Sequence, residues 1–178
     1  SEFARGFAEL AAQYNVQLIG GDTTSGELSI TLTVMGLLPA GQALKRSGAE
    51  VGDDIDISST KGLGAAGFEL ANANTGQRPH LDYPHPRVTL GQSLLPLAHA
   101  CIDISDGLLA DLTHVLKASG VGAELLLNNL PIADLLEGLG DTDRLQLALC
   151  AGDEYELCFT AAPEQAGAIE RIAKQLDL

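Results

Sequence analysis

The sequence predicts a layered α/β fold, and three observations carry that prediction. Segments of helical period alternate with short β-rich runs, the pattern of helices packed on a sheet. With 46% hydrophobic residues over 178 positions, there is enough apolar side chain for a sizeable core. The Pro39-Ala-Gly41 break separates a leading segment, residues 1–38, from a longer α/β domain, residues 39–178.

In chain order, Phe3–Tyr14 reads as a helix because Phe3, Phe7, Leu10, Ala11 and Tyr14 fall on one face. Val16–Ile19 is a short strand, and Gly20–Gly26 is a loop of glycines and hydroxyls. Ser29–Leu37, rich in Ile, Thr, Leu and Val, is a strong strand. Beyond the break, Asp54–Ser58 alternates as a strand and Gly62–Asn72 reads as a helix entered through glycines. Residues 74–87 are loop-like, with Pro79, Pro84 and Pro86. Val88–Ala98 is helical with a break or bend at Pro96. A tight acidic turn follows at Asp103–Asp106. The helix Gly107–Ser119 comes next, with Gly120 placed to close it in a left-handed conformation. Ala123–Leu127 is a strand, Ile132–Leu139 and Arg144–Cys150 are short helices, and Tyr155–Thr160 is a strand. Pro163–Leu176 is a helix with proline at its first turn.

Charge and cysteine content exclude several function classes. Ten basic against 24 acidic residues leave a net charge of −14, opposite to what nucleic acid or an anionic membrane surface requires. An acidic chain binds polyphosphate only with cations in between. Cys101, Cys150 and Cys158 have no metal-knuckle spacing and are odd in number, which predicts reduced thiols and a cytoplasmic setting. No apolar run approaches a membrane span. The opening residues carry Glu2, Arg5 and Glu9, unlike a secretory leader. They read as the middle of a longer protein.

The densest chemistry is Ile102-Asp-Ile-Ser-Asp-Gly107. Asp103, Ser105 and Asp106 sit where an apolar run feeds a helix start, a place that offers unpaired backbone N–H groups to anions. The plain alternative is capping by Ser105 or Asp106. Capping uses one acid, and the second points to a metal ion. Gly20-Gly-Asp22-Thr-Thr24 is a second acidic loop, in which glycine permits close backbone approach and Asp22 offers a ligand; a simple turn explains it as well. Arg46, in Lys45-Arg-Ser-Gly-Ala49, is suited to fork onto a phosphate or to pair with a surface acid. Gly152-Asp-Glu-Tyr155 sets two adjacent acids before a strand, as a pocket edge or a solvated turn. Gly62-Leu-Gly64-Ala-Ala-Gly67 matches a dinucleotide fingerprint, and Asp82 follows at the right distance. The prolines at 79 and 84 stand where the next strand of that unit belongs, which argues against it. The histidines show no ligand spacing, and no G-x-S-x-G element is present.

Taken in order, Leu18-Ile-Gly-Gly-Asp-Thr-Thr24, Lys45-Arg-Ser-Gly-Ala49, Pro86-Arg87, Ile102-Asp-Ile-Ser-Asp-Gly-Leu108 and Asp153-Glu-Tyr-Glu-Leu-Cys-Phe-Thr160 resemble the thiamine-monophosphate kinase family. That family belongs to the superfamily that includes aminoimidazole ribonucleotide synthetase. The resemblance implies a mixed sheet with helices packed on it, and residues 1–38 as a remnant of an N-terminal ATP-binding domain. It implies ATP-dependent, Mg2+-assisted phosphorylation of thiamine monophosphate to thiamine diphosphate. It also implies a homodimeric full-length protein. Asp22, Asp103 and Asp106 would ligate Mg2+; Gly21, Asp22, Arg46 and Ser105 would contact ATP; Asp153 would contact the thiamine part, with Glu154 as its competitor. Segments of the family's N-terminal region are absent, so the expectation is a fragment with little or no turnover. The alternatives are a sister ATP-using enzyme, of the selenophosphate synthetase or hydrogenase-maturation type, and a ligand-binding domain without catalysis.

Overall fold

The computed structural model describes residues 2–60 and 79–178. The expected helix at Gly62–Asn72 and the glycine fingerprint at Gly62–Gly67 lie outside the described residues. The chain divides into two compact units, Ser1–Leu38 and Pro39–Leu178.

The first unit holds one helix, α1 (Glu2–Gln13). Phe3 and Phe7, one turn apart, stack with ring centroids 6.4 Å apart. The helix closes through Asn15 in the left-handed region and a Val16 N–H to Ala11 C=O bond of 2.8 Å. From Val16 to Leu38 the backbone forms neither helix nor ladder. The strands expected at Val16–Ile19 and Ser29–Leu37 are therefore not formed here. Their side-chain pattern suits a strand, but a strand exists only through pairing, and no described segment pairs with them.

The second unit is α/β. Its sheet runs β1-β3-β2, with β1 (Asp54–Ile57), β2 (Ala98–Asp103) and β3 (Leu157–Ala161). Both described ladders are antiparallel, and β2 carries an irregularity between Ala98 and Ala100. The unit's described helices are α2 (Pro79–Asp82), α3 (Val88–Leu94), α4 (Leu108–Ser119), α5 (Asp141–Cys150) and α6 (Ala166–Leu176). The period of two along the central strands sends side chains to opposite faces. Cys158 and Ile102 join Leu108, Leu112 and Val115 of α4 in one cluster. Phe159 and Cys101 join Leu90 and Leu94 of α3 and Ile169, Ile172 and Leu176 of α6 in the other. Helices therefore cover both faces of the sheet. Leu94 and Leu108 are fully buried, and truncating either to alanine costs about 2–5 kcal/mol.

The helix α4 follows its sequence signals closely. Leu108, Leu112 and Val115 are buried, at the i, i+4, i+7 spacing of one helical face. Gly120 ends it at φ 71°, donating its N–H to Leu116. The expected Val88–Ala98 helix stops at Leu94, ahead of Pro96, and Ala98 already belongs to β2. Two other short elements differ from expectation. Ala123–Leu127 forms no strand, only a 3-10 turn at Leu127–Asn129, and Ile132–Leu139 shrinks to one 3-10 turn at Asp134–Leu136.

Candidate functional site: two acidic loops held backbone to backbone

The end of β2 and the entry to β3 meet in an irregular continuation of their ladder. Ile104 N–H donates to Glu156 C=O at 2.8 Å, Tyr155 N–H to Ile104 C=O at 2.9 Å, and Asp153 N–H to Ser105 C=O at 2.9 Å. Two glycines permit this approach. A Cβ on Gly152 would lie 2.1 Å from Ser105 O, and one on Gly107 would lie 2.6 Å from Cys150 O. Gly107 also has φ 110°, where a side chain is strained. Asp153 and Tyr155 adopt φ 59° and 55°, and left-handed backbone is unusual for a residue as bulky as tyrosine. Such strain persists only where surroundings enforce it, and it clusters at functional sites.

The result is a rim of acids. Asp103, Asp106 and Asp153 are exposed, whereas Glu154 is buried. Asp153 is thus the acid of the Asp153-Glu154 pair that faces outward. The Tyr155 hydroxyl donates to Asp153 Oδ1 at 3.1 Å. That hydrogen bond raises the phenol's pKa, as do partial burial and the negative charges of Asp153, Asp103 and Asp106. The phenol therefore stays protonated and remains a donor at neutral pH. Asp103, Ser105, Asp106 and Asp153 come together as one site, with Tyr155, which sequence reasoning did not single out.

Capping does not explain the turn. The residue before α4 is Gly107, and no side chain caps it. Among the described residues, neither the Asp103 nor the Asp106 carboxylate makes a hydrogen bond or ion pair. The expected free N–H groups are not free either. Ser105 N–H and Asp106 N–H both donate to Asp111 Oδ2 at 2.9 Å. Asp111 was missed, although a signal existed. It lies at i+3 from Leu108 and i−4 from Val115, so the helical pattern places a charge on the buried face of α4.

Gly21 and Asp22 belong to the first unit, in an open exposed loop. The Arg46 carbonyl accepts from the Ser119 hydroxyl at 3.3 Å, and Gly48 and Ala49 N–H donate to Ser119 Oγ at 3.2 and 3.1 Å. Ser119 ends α4, so the Arg46 backbone sits at the opposite end of a twelve-residue helix from the acidic turn, about 18 Å away along its axis.

Among the described residues, no three His, Cys, Asp or Glu side chains are placed to hold a metal ion by themselves. The donor chemistry nevertheless fits Mg2+. The turn presents two unengaged carboxylates, and Mg2+ is commonly held by one or two carboxylates plus phosphate oxygens and waters.

The family model for the AIR synthase related protein, C-terminal domain, matches residues 50–178, and that for its N-terminal domain matches residues 1–38. The chain belongs to the AIR synthase related family. Within it, the chain is 43% identical over 185 aligned residues to a thiamine-monophosphate kinase of Salmonella typhimurium, covering 98% of this chain and 57% of that protein. It is 42% identical to the thiamine-monophosphate kinase of Escherichia coli K12, covering 94% of this chain and 55% of that protein. The chain therefore spans little more than half the length of these AIR synthase related kinases. In structure it resembles the thiamine-monophosphate kinase from Stenotrophomonas maltophilia (TM-score 0.92, 45% identity), with 98% of this chain and 60% of that one covered. It also resembles AaThiL complexed with AMPPCP and TMP (TM-score 0.60, 31% identity), with 68% and 43% covered. A hydrogenase maturation protein, Escherichia coli HypE, shares the fold at 20% identity.

Proposed function

We propose that this protein acts in ATP-dependent phosphorylation of thiamine monophosphate to thiamine diphosphate, with Mg2+ at the Asp103–Asp106 turn. The observation that carries the reading is the state of that turn. Two exposed carboxylates are left unengaged by capping and are held beside Asp153 and Tyr155 by backbone contacts. The kinases above, and the relative complexed with AMPPCP and TMP, support this choice of substrates.

Phosphoryl transfer demands positioning and charge neutralisation more than covalent chemistry. The acceptor here is a phosphate oxygen, already ionised near neutral pH, so the chain needs no strong general base. Mg2+, when bound, would supply positive charge to offset that of the phosphates. Asp103 and Asp106 would hold it, and Ser105 lies between them for a nucleotide contact. Asp153, with the Tyr155 phenol donating to it, would orient the thiamine part. In this reading Asp22 is a metal and nucleotide ligand, Gly21 and Arg46 are nucleotide contacts, residues 1–38 belong to an ATP-binding domain, and the working protein is a cytoplasmic homodimer.

Calorimetric titration with AMPPCP, with and without Mg2+, tests the proposal. Binding should require Mg2+ and disappear in Asp103→Ala and Asp106→Ala. Binding that is indifferent to Mg2+, or unchanged in both variants, would overturn it.

A further inference from the structure

Asp111 is 3% exposed, on the face of α4 that otherwise buries Leu108, Leu112 and Val115. A carboxylate in such a place is retained only if hydrogen bonds compensate for its lost hydration. Its Oδ2 accepts both the Ser105 and the Asp106 N–H at 2.9 Å. These two backbone amides belong to the same short turn as the carboxylates of Asp103 and Asp106.

We infer that Asp111 is the positioning residue of the acidic turn: it fixes the backbone that presents Asp103 and Asp106, and it closes the turn to bare anions. The inference rests on the reading of that turn as a metal–phosphate site and adds what sets its geometry and its ligand class. With both amides engaged and a negative charge behind them, an anion finds neither donors nor a favourable potential there. A divalent cation finds two carboxylates on a fixed frame. Phosphate therefore enters through the cation and not through the helix terminus, although helix starts commonly bind phosphate directly. Groups that orient metal ligands from behind typically control metal affinity about tenfold to a hundredfold.

The test uses the 178-residue chain, isotopically labelled, as wild type, Asp111→Ala and Asp111→Asn. Amide hydrogen exchange at Ser105 and Asp106 is read by NMR, and Mn2+ affinity by electron paramagnetic resonance. In the wild type both amides should be protected, and inorganic phosphate without metal should shift neither. Asp111→Asn, which keeps an acceptor oxygen, should retain amide protection and Mn2+ binding. Asp111→Ala should lose protection at those two amides and bind Mn2+ about tenfold to a hundredfold more weakly. Wild-type amides that exchange as fast as open loop would overturn the role of Asp111, whether or not the alanine variant folds. So would an alanine variant with wild-type Mn2+ affinity. A wild type that protects both amides yet binds no Mn2+ would instead overturn the metal reading of the turn.

Discussion

Arg87 grips both carboxylate oxygens of Glu156, with Nε 2.8 Å from Oε2 and Nη2 2.7 Å from Oε1. The Ser58 hydroxyl donates to the same Oε2 and accepts from Leu157 N–H at 2.9 Å. The residue before α3 is thereby tied to the residue beside Tyr155 and to the end of β1. A two-point guanidinium–carboxylate contact is among the stronger polar pairings, and here only 20% of the Arg87 side chain and 8% of the Glu156 side chain are exposed.

Removing Arg87 leaves Glu156 buried without its counter-charge. Arg87→Ala should lower folding stability by about 3–5 kcal/mol, read as a shift in the urea midpoint. The exposed pair Arg5–Glu9, at 3.8 Å, is the control. Arg5→Ala should change stability by no more than about 0.5 kcal/mol. Equal effects would show that burial does not govern these pairs.

Gly152 is where the two acidic loops touch most closely. A methyl group there meets the Ser105 carbonyl, which is backbone and cannot swing aside. Gly152→Ala should cost about 1–3 kcal/mol and weaken Mg2+-dependent nucleotide binding in the same variant. A Gly152→Ala protein with wild-type binding and stability would show that the contact is not required.

Asp53 gives the unit a defined acid response. Its carboxyl is buried, which pushes its pKa up, but the Glu50 N–H and the His99 ring beside it, 2.9 Å from Oδ1, pull it below the ordinary 3.8. A depressed folded-state value means stability present above 3.8 and lost as pH falls through the folded value. Asp53→Asn should therefore lower the urea midpoint at pH 7, and the gap from wild type should close on acidification below about pH 3.8. A gap that stays constant with pH would rule out this linkage.

The three thiols should differ sharply in reactivity. Cys150 is exposed, Cys158 is buried, and Cys101 is half-buried, with its pKa pushed to about 11 by burial and by Asp103. The thiolate is the reactive form. Iodoacetamide at pH 8 should label Cys150 first and leave Cys101 and Cys158 until the chain unfolds, as mass spectrometry of the labelled peptides would show. Early labelling of Cys101 would contradict its burial.

Local signals in the sequence were read well where local physics decides. The period of Leu108, Leu112 and Val115 and the glycine at 120 set α4. The run Leu157–Thr160 gave most of β3. What failed depended on distant partners. Ser29–Leu37 has every side-chain property of a strand and no ladder, because a ladder needs a partner strand and no described segment is one. The acidic turn was found by composition, yet its amides were assigned to an incoming anion when Asp111 already held them. The meeting of Asp153 with Ser105 joins positions 48 residues apart. No spacing rule reports such a contact, although the glycines at 107 and 152 marked where backbone could approach backbone.

The unpaired segment ahead of Pro39 also bears on colloidal behaviour. Leu28, Val34, Met35 and Leu37 are each at least 74% exposed, an oily strip on a chain whose net charge is −14. Mutual repulsion between like-charged molecules keeps such strips apart only over the screening distance, roughly 8 Å at physiological ionic strength and about 3 Å at 1 M salt. Raising salt therefore removes the barrier while leaving the adhesive surface intact. Purified samples should stay clear in dilute buffer and turn cloudy as sodium chloride is added, the reverse of salting-in.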